Sequence, residues 1–279
     1  MEHNLVLAFL ATTFAGLATG VGSIIALVSR RATPRFLSVS LGFSAGVMIF
    51  VSLGELFGES VERLRAIWGG RGGYWGALAG FFAGMALIAF IDKLVPPAVN
   101  PHEARAKEAA EHEAADSRSC SDGIRARHGA KLLRMGLLTA FVITLHNLPE
   151  GVATLFASLE NPRFGLAIAF AIAIHNIPEG ISISVPVYYA TGSRKRAFWY
   201  SFASGLSEPL GAIIGYLLLR GQIGGPLFGL VLAGVAGIMI YISLDELLPS
   251  AREYGEPHLA MAGLFGGMAV MGLSLALTA

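Results

Sequence analysis

Along this chain, apolar residues neither alternate with polar ones at a strand's period nor keep to one helical stripe. They run almost unbroken for some twenty residues at a time. Eight such runs occur, at about 5–28, 36–57, 74–91, 132–158, 164–188, 197–219, 225–247 and 259–278. A helix needs about 20 mostly apolar residues to cross the hydrocarbon core of a bilayer, so each run is a candidate span. Barrel strands are about half as long and alternate in polarity, which these Gly- and Ala-rich runs do not. The pattern predicts an all-α polytopic membrane protein with eight transmembrane helices in one domain over residues 1–279. The first run lacks the basic leader and short apolar core of a cleaved signal and reads as a retained span.

Composition narrows the function classes. The chain is 54% hydrophobic and 14% charged, with a mean hydropathy of +0.63, outside the range of soluble globular domains. A lipid bilayer is the implied partner. A net charge of +1 gives no reason to expect nucleic acid, and the single Cys120 cannot form an intrachain disulfide. One polar segment, Asn100 to Lys131, carries mixed charge without an apolar period and is expected to be a mobile loop, locally helical around Ala104 to Ala115. Of the 20 Lys and Arg, fifteen lie on the side reached after the first span. The positive-inside rule puts that side, and the loop, in the cytoplasm, with both termini outside.

The spans repeat. Gly46 to Leu56 ("GVMIFVSLGEL") matches Gly237 to Leu247 ("GIMIYISLDEL") at seven of eleven places, and Gly80 to Ala86 matches Gly263 to Ala269 at five of seven. Spans two and three therefore correspond to spans seven and eight. Because the offset of five spans is odd, the copies cross the membrane in opposite directions. The plan is 3+2+3 with inverted repeats, as in secondary transporters, whose site lies near the midplane between the repeats.

Between the repeats stand "HNLPEG" at His146 to Gly151 and "HNIPEG" at His175 to Gly180. His146 and Glu150 are four residues apart, as are His175 and Glu179, so each pair shares a helix face bordered by Asn147 or Asn176. Each motif begins about a dozen residues from the short turn joining spans four and five, which places both near mid-bilayer. A charged side chain there costs at least about 2.5 kcal/mol. Imidazole, carboxylate and amide oxygen together suit a borderline dication: Zn²⁺ foremost, with Fe²⁺, Mn²⁺, Co²⁺ or Cd²⁺ also fitting. Glu208 in span six adds a third carboxylate, so the set could hold one or two ions. Pro149, Pro178 and Pro209 remove helical hydrogen bonds beside the glutamates and predict kinks that free carbonyl oxygens.

Other residues read more plainly. Glu55 and Glu246, with Asp245, occupy matching repeat positions near span ends and suit interface charges or vestibules. Met48 and Met239 are duplicated by the repeat and suit packing. Gly76, Gly80 and Gly84 at four-residue spacing suit close helix contact. The loop residues His102, His112, His128 and Cys120 belong to a solvated, charged segment.

The twin HN-x-PEG motifs, the "SEPLG" of span six, the eight spans and the His-containing loop resemble the ZIP family of divalent metal transporters, in particular its bacterial branch. The resemblance covers nearly the whole chain. It implies a bacterial inner-membrane transporter of divalent cations, with His146, Glu150, His175 and Glu179 in one site. Asn147, Glu150, Asn176, Glu179 and Glu208 would form a second, and Met48 would be a further ligand. The metal is cargo, no cofactor is implied, and a homodimer is left open. No phosphate-binding loop is present, so gradients drive transport. A metal-selective channel and a membrane-embedded di-metal hydrolase are the rivals; H-E-x-x-H is absent and no nucleophile adjoins the motifs, so no enzyme is expected.

Overall fold

The computed structural model of the chain describes residues 2–29, 33–94, 121–222, 225–253 and 257–278. Within them no strand occurs, and eight helices are long and apolar enough to cross a membrane. The first span is Glu2–Ser29. The second runs over Pro34–Val51, through a π-helical turn at Ser52–Leu56, into Phe57–Trp68. The third is Gly70–Leu94, the fourth Ser121–Glu160 and the fifth Pro162–Thr191. The sixth is divided into Arg194–Gly205 and Ser207–Leu219. The seventh repeats the plan of the second, Pro226–Ile242 passing through a π-helical turn at Ser243–Leu247 into Leu248–Glu253, and the eighth is Pro257–Thr278.

Local chemistry sets the ends. Between spans four and five the only non-helical residue is Asn161, whose side-chain oxygen accepts from the backbone N–H groups of Arg163 and Phe164. Pro162 follows at the first helical position, where no N–H is needed. The fifth span ends on Gly192, at φ +65°, a conformation glycine adopts without steric cost. The fourth span begins earlier than its apolar run: Ser121 to Lys131, expected as loop, continue the helix. Ser121 and Asp122 are capping residue types, and Arg125, Ala126, Arg127 and Ala130 are good helix formers. The rest of the expected loop, residues 100–120 with His102, His112 and Cys120, lies outside the described residues, as does the side chain of His128.

The spans are not equivalent in burial. In the fifth, 78% of the most apolar window is buried, against 22% in the third and 28% in the eighth, so the fifth is central and the others peripheral. Leu10, Phe14, Trp75, Phe82, Leu218 and Phe265 point outward, as a lipid-facing surface requires.

The repeat is geometrical as well as sequential. Span two packs on span eight, and span seven on span three. A Cβ on Gly46 would stand 2.1 Å from the carbonyl oxygen of Leu264, and one on Gly237 would stand 2.0 Å from that of Phe81. Gly46 and Gly237 are repeat equivalents, and so are Leu264 and Phe81. The expected role of Gly80 and Gly84 as contact residues holds: Cβ atoms there would meet the carbonyls of Leu230 and Gly234 in span seven. Close backbone approach through small residues is how helices pack where lipid offers no hydrophobic drive. The two π-helical turns fall on the same repeat residues. Each inserts one extra residue into the helix and carries a partly buried acid, Glu55 or Glu246.

Candidate metal centre

Spans four and five are antiparallel neighbours, and their HN-x-PEG faces meet. Glu150 Oε1 lies 3.0 Å from His175 Nε2 across the helix interface. The same oxygen lies 3.0 Å from His146 Nε2, one turn back on its own helix, though out of alignment for a hydrogen bond. Glu179 Oε1 stands 3.8 Å from His146 Nε2. One ligand atom each from His146, His175 and Glu179 falls within 4.8 Å of the others. That spacing is about twice a metal–ligand bond of 2.0–2.2 Å.

The asparagines link this cluster to its neighbours. Asn176 Nδ2 donates to the carbonyl of Ala15 in span one, at 3.0 Å, and to Glu208 Oε1 in span six. Asn147 Nδ2 donates to the carbonyl of Ser204, 3.2 Å away, also in span six. Each amide thus uses its nitrogen as a tie and keeps its oxygen free. His146, Asn147, Glu150, His175, Asn176, Glu179 and Glu208 are all at most 1% exposed.

Burial without partners defines the chemistry. His146 Nδ1, Asn147 Oδ1, Glu150 Oε2, His175 Nδ1, Asn176 Oδ1, both Glu179 oxygens and Glu208 Oε2 make no hydrogen bond. A buried polar group without a partner forfeits its hydration, and a buried charge forfeits far more. Here such atoms converge instead of scattering, and they are carboxylate, imidazole and amide oxygen, the donors of a borderline dication.

The prolines sit in two different settings. The fourth and fifth spans remain helical through Pro149 and Pro178. The interruption comes in span six, at Leu206, just before Glu208. Pro209 cannot donate to Gly205, four residues back, and the Gly205 carbonyl turns against Gly16, whose added Cβ would be 2.4 Å from it. The glycine that ends each motif is a contact residue. A Cβ on Gly151 would lie 1.9 Å from the carbonyl oxygen of Glu208, and one on Gly180 would lie 1.9 Å from that of Thr19.

Span one is therefore part of the centre's frame, a role that no motif in it announces. The signal is faint: "AGLATGVG" at Ala15 to Gly22 shares only three of eight residues with "SGLSEPLG" at Ser204 to Gly211. Span two contributes Ser44, whose hydroxyl donates to the His175 carbonyl at 3.3 Å. Met48 lies one turn further on that face and is fully buried in the main core cluster, as Met239 is in the other repeat. Toward the turn between spans four and five a pocket of about 430 Å³ is lined by Glu55, Glu59, Arg63, Glu160 and Asn161, with Ala157 and Leu232 deeper in.

Comparison with known proteins identifies the family. The sequence model of the ZIP zinc transporter family matches residues 3–275. The chain is 53% identical over 276 residues to a protein named zinc transporter ZupT from Clostridium perfringens, covering 99% of this chain and 97% of that one. Its identity to the protein of that name from Lysinibacillus sphaericus is 53% over 277 residues, 99% of each chain. The same-named protein of Nitratidesulfovibrio vulgaris is 54% identical over 276 residues, 99% of this chain and 98% of that one. With eight membrane-spanning helices and a match along almost its full length, the chain belongs to the ZIP zinc transporter family.

Proposed function

We propose that this chain carries divalent metal cations, Zn²⁺ first among them, into the cytoplasm through a midplane centre between spans four, five and six. The observation that carries this reading is the convergence of fully buried, unpartnered donor atoms from His146, Asn147, Glu150, His175, Asn176, Glu179 and Glu208. Three carboxylates and two neutral imidazoles offer three negative charges, one more than a single dication needs and one fewer than two dications sharing glutamates would carry. His146, Glu150, His175 and Glu179 suit one ion. Asn147, Asn176 and Glu208 suit a second, with Glu150 and Glu179 bridging.

The direction follows from charge. A dication moving inward through 100 mV gains about 4.6 kcal/mol, twice the value for a single charge, and binding by cytoplasmic ligands sustains the concentration gradient. Cations gather first in the acidic pocket of Glu55, Glu59 and Glu160, which opens to the outside when both termini do. Spans four and five, with the ion between them, then move against the frame of repeated spans and expose the centre to the other face. Inverted repeats provide two related packings for such an exchange. The rim would thus face the periplasm of a bacterial inner membrane and the long loop the cytoplasm.

Proteoliposomes loaded with chelator and given radiozinc test the proposal, with Fe²⁺, Mn²⁺, Co²⁺ and Cd²⁺ as competitors. Saturable uptake that disappears in Glu150→Ala and His175→Ala is the expected result. Uptake unaffected by both substitutions would overturn the midplane reading. Unsaturable current would indicate a channel, and metal-dependent peptide cleavage a hydrolase.

A further inference from the structure

We propose that Thr19 is a further cation-binding and specificity-determining residue of the centre, its hydroxyl oxygen serving the ion held by Asn147, Asn176 and Glu208 as the uncharged counterpart of the Glu208 carboxylate. The assignment rests on the midplane reading above and adds a residue from span one to it.

The argument begins with symmetry. Spans one and six are related by the same two-fold that exchanges spans four and five, and four contacts give one register. Gly22 abuts the Ile177 carbonyl as Gly211 abuts that of Leu148. Asn176 donates to the Ala15 carbonyl as Asn147 donates to that of Ser204. Gly16 and Gly205 face each other's carbonyls. Gly180 abuts the Thr19 carbonyl as Gly151 abuts that of Glu208. In each pair the span-six residue stands 189 positions after its span-one partner. Thr19 occupies the place that Glu208 occupies on the other side.

The second observation concerns the hydroxyl itself. A buried helical threonine ordinarily returns its hydroxyl to the carbonyl four residues earlier. Thr12 does so to Ala8 at 2.9 Å and Thr13 to Phe9 at 2.7 Å on this same helix. Thr19, at 0% exposure, does not, and its Oγ1 has no partner. Other unpartnered hydroxyls, such as that of Thr154, lack the symmetric coincidence with a candidate ligand.

Side-chain length accounts for the difference between the two halves. The Glu208 carboxylate is long enough to meet the Asn176 amide. A threonine hydroxyl sits nearer its backbone; Thr19 Oγ1, which lies against Gly205 of span six, and Asn147 Oδ1 each make no hydrogen bond. Charge accounts for the neutrality of the position. A carboxylate there would be the fourth at the centre, and a carrier must bind its ion loosely enough to release it. A neutral oxygen also favours the harder, oxygen-preferring dications such as Mn²⁺ over Zn²⁺.

The test compares the full-length wild type with Thr19→Val, Thr19→Ser and Thr19→Glu, measuring radiozinc binding by equilibrium dialysis and the ratio of Mn²⁺ to Zn²⁺ uptake in proteoliposomes. Thr19→Val, which keeps shape and removes the oxygen, should weaken Zn²⁺ binding about 10-fold or more and lower the Mn²⁺ to Zn²⁺ ratio. Thr19→Ser should restore both, and Thr19→Glu should tighten binding while slowing turnover. Val binding and selectivity equal to wild type would overturn the assignment. Should the valine variant not fold, Thr19→Glu decides: tighter binding supports the assignment and unchanged binding overturns it. Glu150→Gln is run alongside. If it loses Zn²⁺ binding while the Thr19 variants do not, only Thr19 is excluded; if it binds normally, the midplane reading itself fails.

Discussion

Glu150 Oε1 lies 3.0 Å from His175 Nε2, a contact that joins the fourth span to the fifth at the centre of the bundle. The same oxygen is 3.0 Å from His146 Nε2, so one carboxylate sits between two imidazoles. On the proposed reading, a cation held there would take over these nitrogens and this oxygen together. Glu150→Gln and His175→Ala are accordingly expected to reduce Zn²⁺ uptake by about 100-fold or more, beyond the 10–100-fold typical of residues that merely support ligands. Initial rates of radiozinc entry measure this, and a reduction below about threefold would exclude both side chains as ligands.

Metal linkage to stability gives a separate reading. Both Glu179 oxygens are buried without a partner, so in metal-free protein the carboxylate is a burden and Glu179→Gln relieves it. The variant should melt at or above the wild-type temperature without metal. Saturating Zn²⁺ at about 100 times Kd stabilises the wild type by about 2.7 kcal/mol, and the variant should gain much less. Calorimetric or fluorescence melting in detergent, with and without Zn²⁺, checks both signs. An undiminished shift in the variant would remove Glu179 from the ligand set.

The legible and illegible parts of this molecule differ for a physical reason. The spans are legible because lipid tolerates only long apolar helices. The HN-x-PEG pairs are legible because ionisable side chains at that depth are costly and rare unless they serve an ion path or one another. Ala15 and Ser204 are illegible because they act through backbone carbonyls that any residue would supply. The roles of Gly151 and Gly180 belong to helices far away in sequence, so nothing local announces them. The break in span six cannot be singled out from sequence, because Pro149, Pro178 and Pro209 all predict kinks and, of their spans, only the sixth is divided into two helices. The π-helical turns at Ser52–Leu56 and Ser243–Leu247 leave no composition signal at all, although both fall inside the repeated segment.

The motif glycines yield a sharp contrast. Gly151→Ala and Gly180→Ala would drive a methyl to within 1.9 Å of a carbonyl oxygen, and in packed helices such overfilling costs about 1–3 kcal/mol. The backbones of spans six and one would have to retreat, taking Glu208 or Thr19 with them. Both variants should show weaker Zn²⁺ binding as well as lower melting temperature. Gly58→Ala, with nothing within 4 Å of the new Cβ, should instead stabilise its helix by up to about 1 kcal/mol and leave uptake unchanged. Equal melting temperatures for the three variants would show the close contacts to be unimportant.

Arg63 sets the charge of the pocket beside the turn between spans four and five. Its guanidinium is 2.5 Å from Glu59 Oε1, bonds Glu160, and stands 4.9 Å over the Phe228 ring. Two of the pocket's carboxylates thereby share one guanidinium, which offsets one of their two charges before any cation arrives. Arg63→Gln releases both while losing only partly exposed ion pairs, worth about 0–1 kcal/mol each, so the fold should survive. A more negative mouth concentrates cations, and the KM for Zn²⁺ uptake at low ionic strength should fall by about 2–10-fold, the lower end of electrostatic steering. Screening supplies the control, because the Debye length shrinks from about 30 Å at 0.01 M salt to about 8 Å at 0.15 M. The advantage of the variant should fade over that range while turnover at saturation stays constant. A KM that does not respond to the substitution at low salt would mean that Zn²⁺ reaches the centre without passing Glu59 and Glu160.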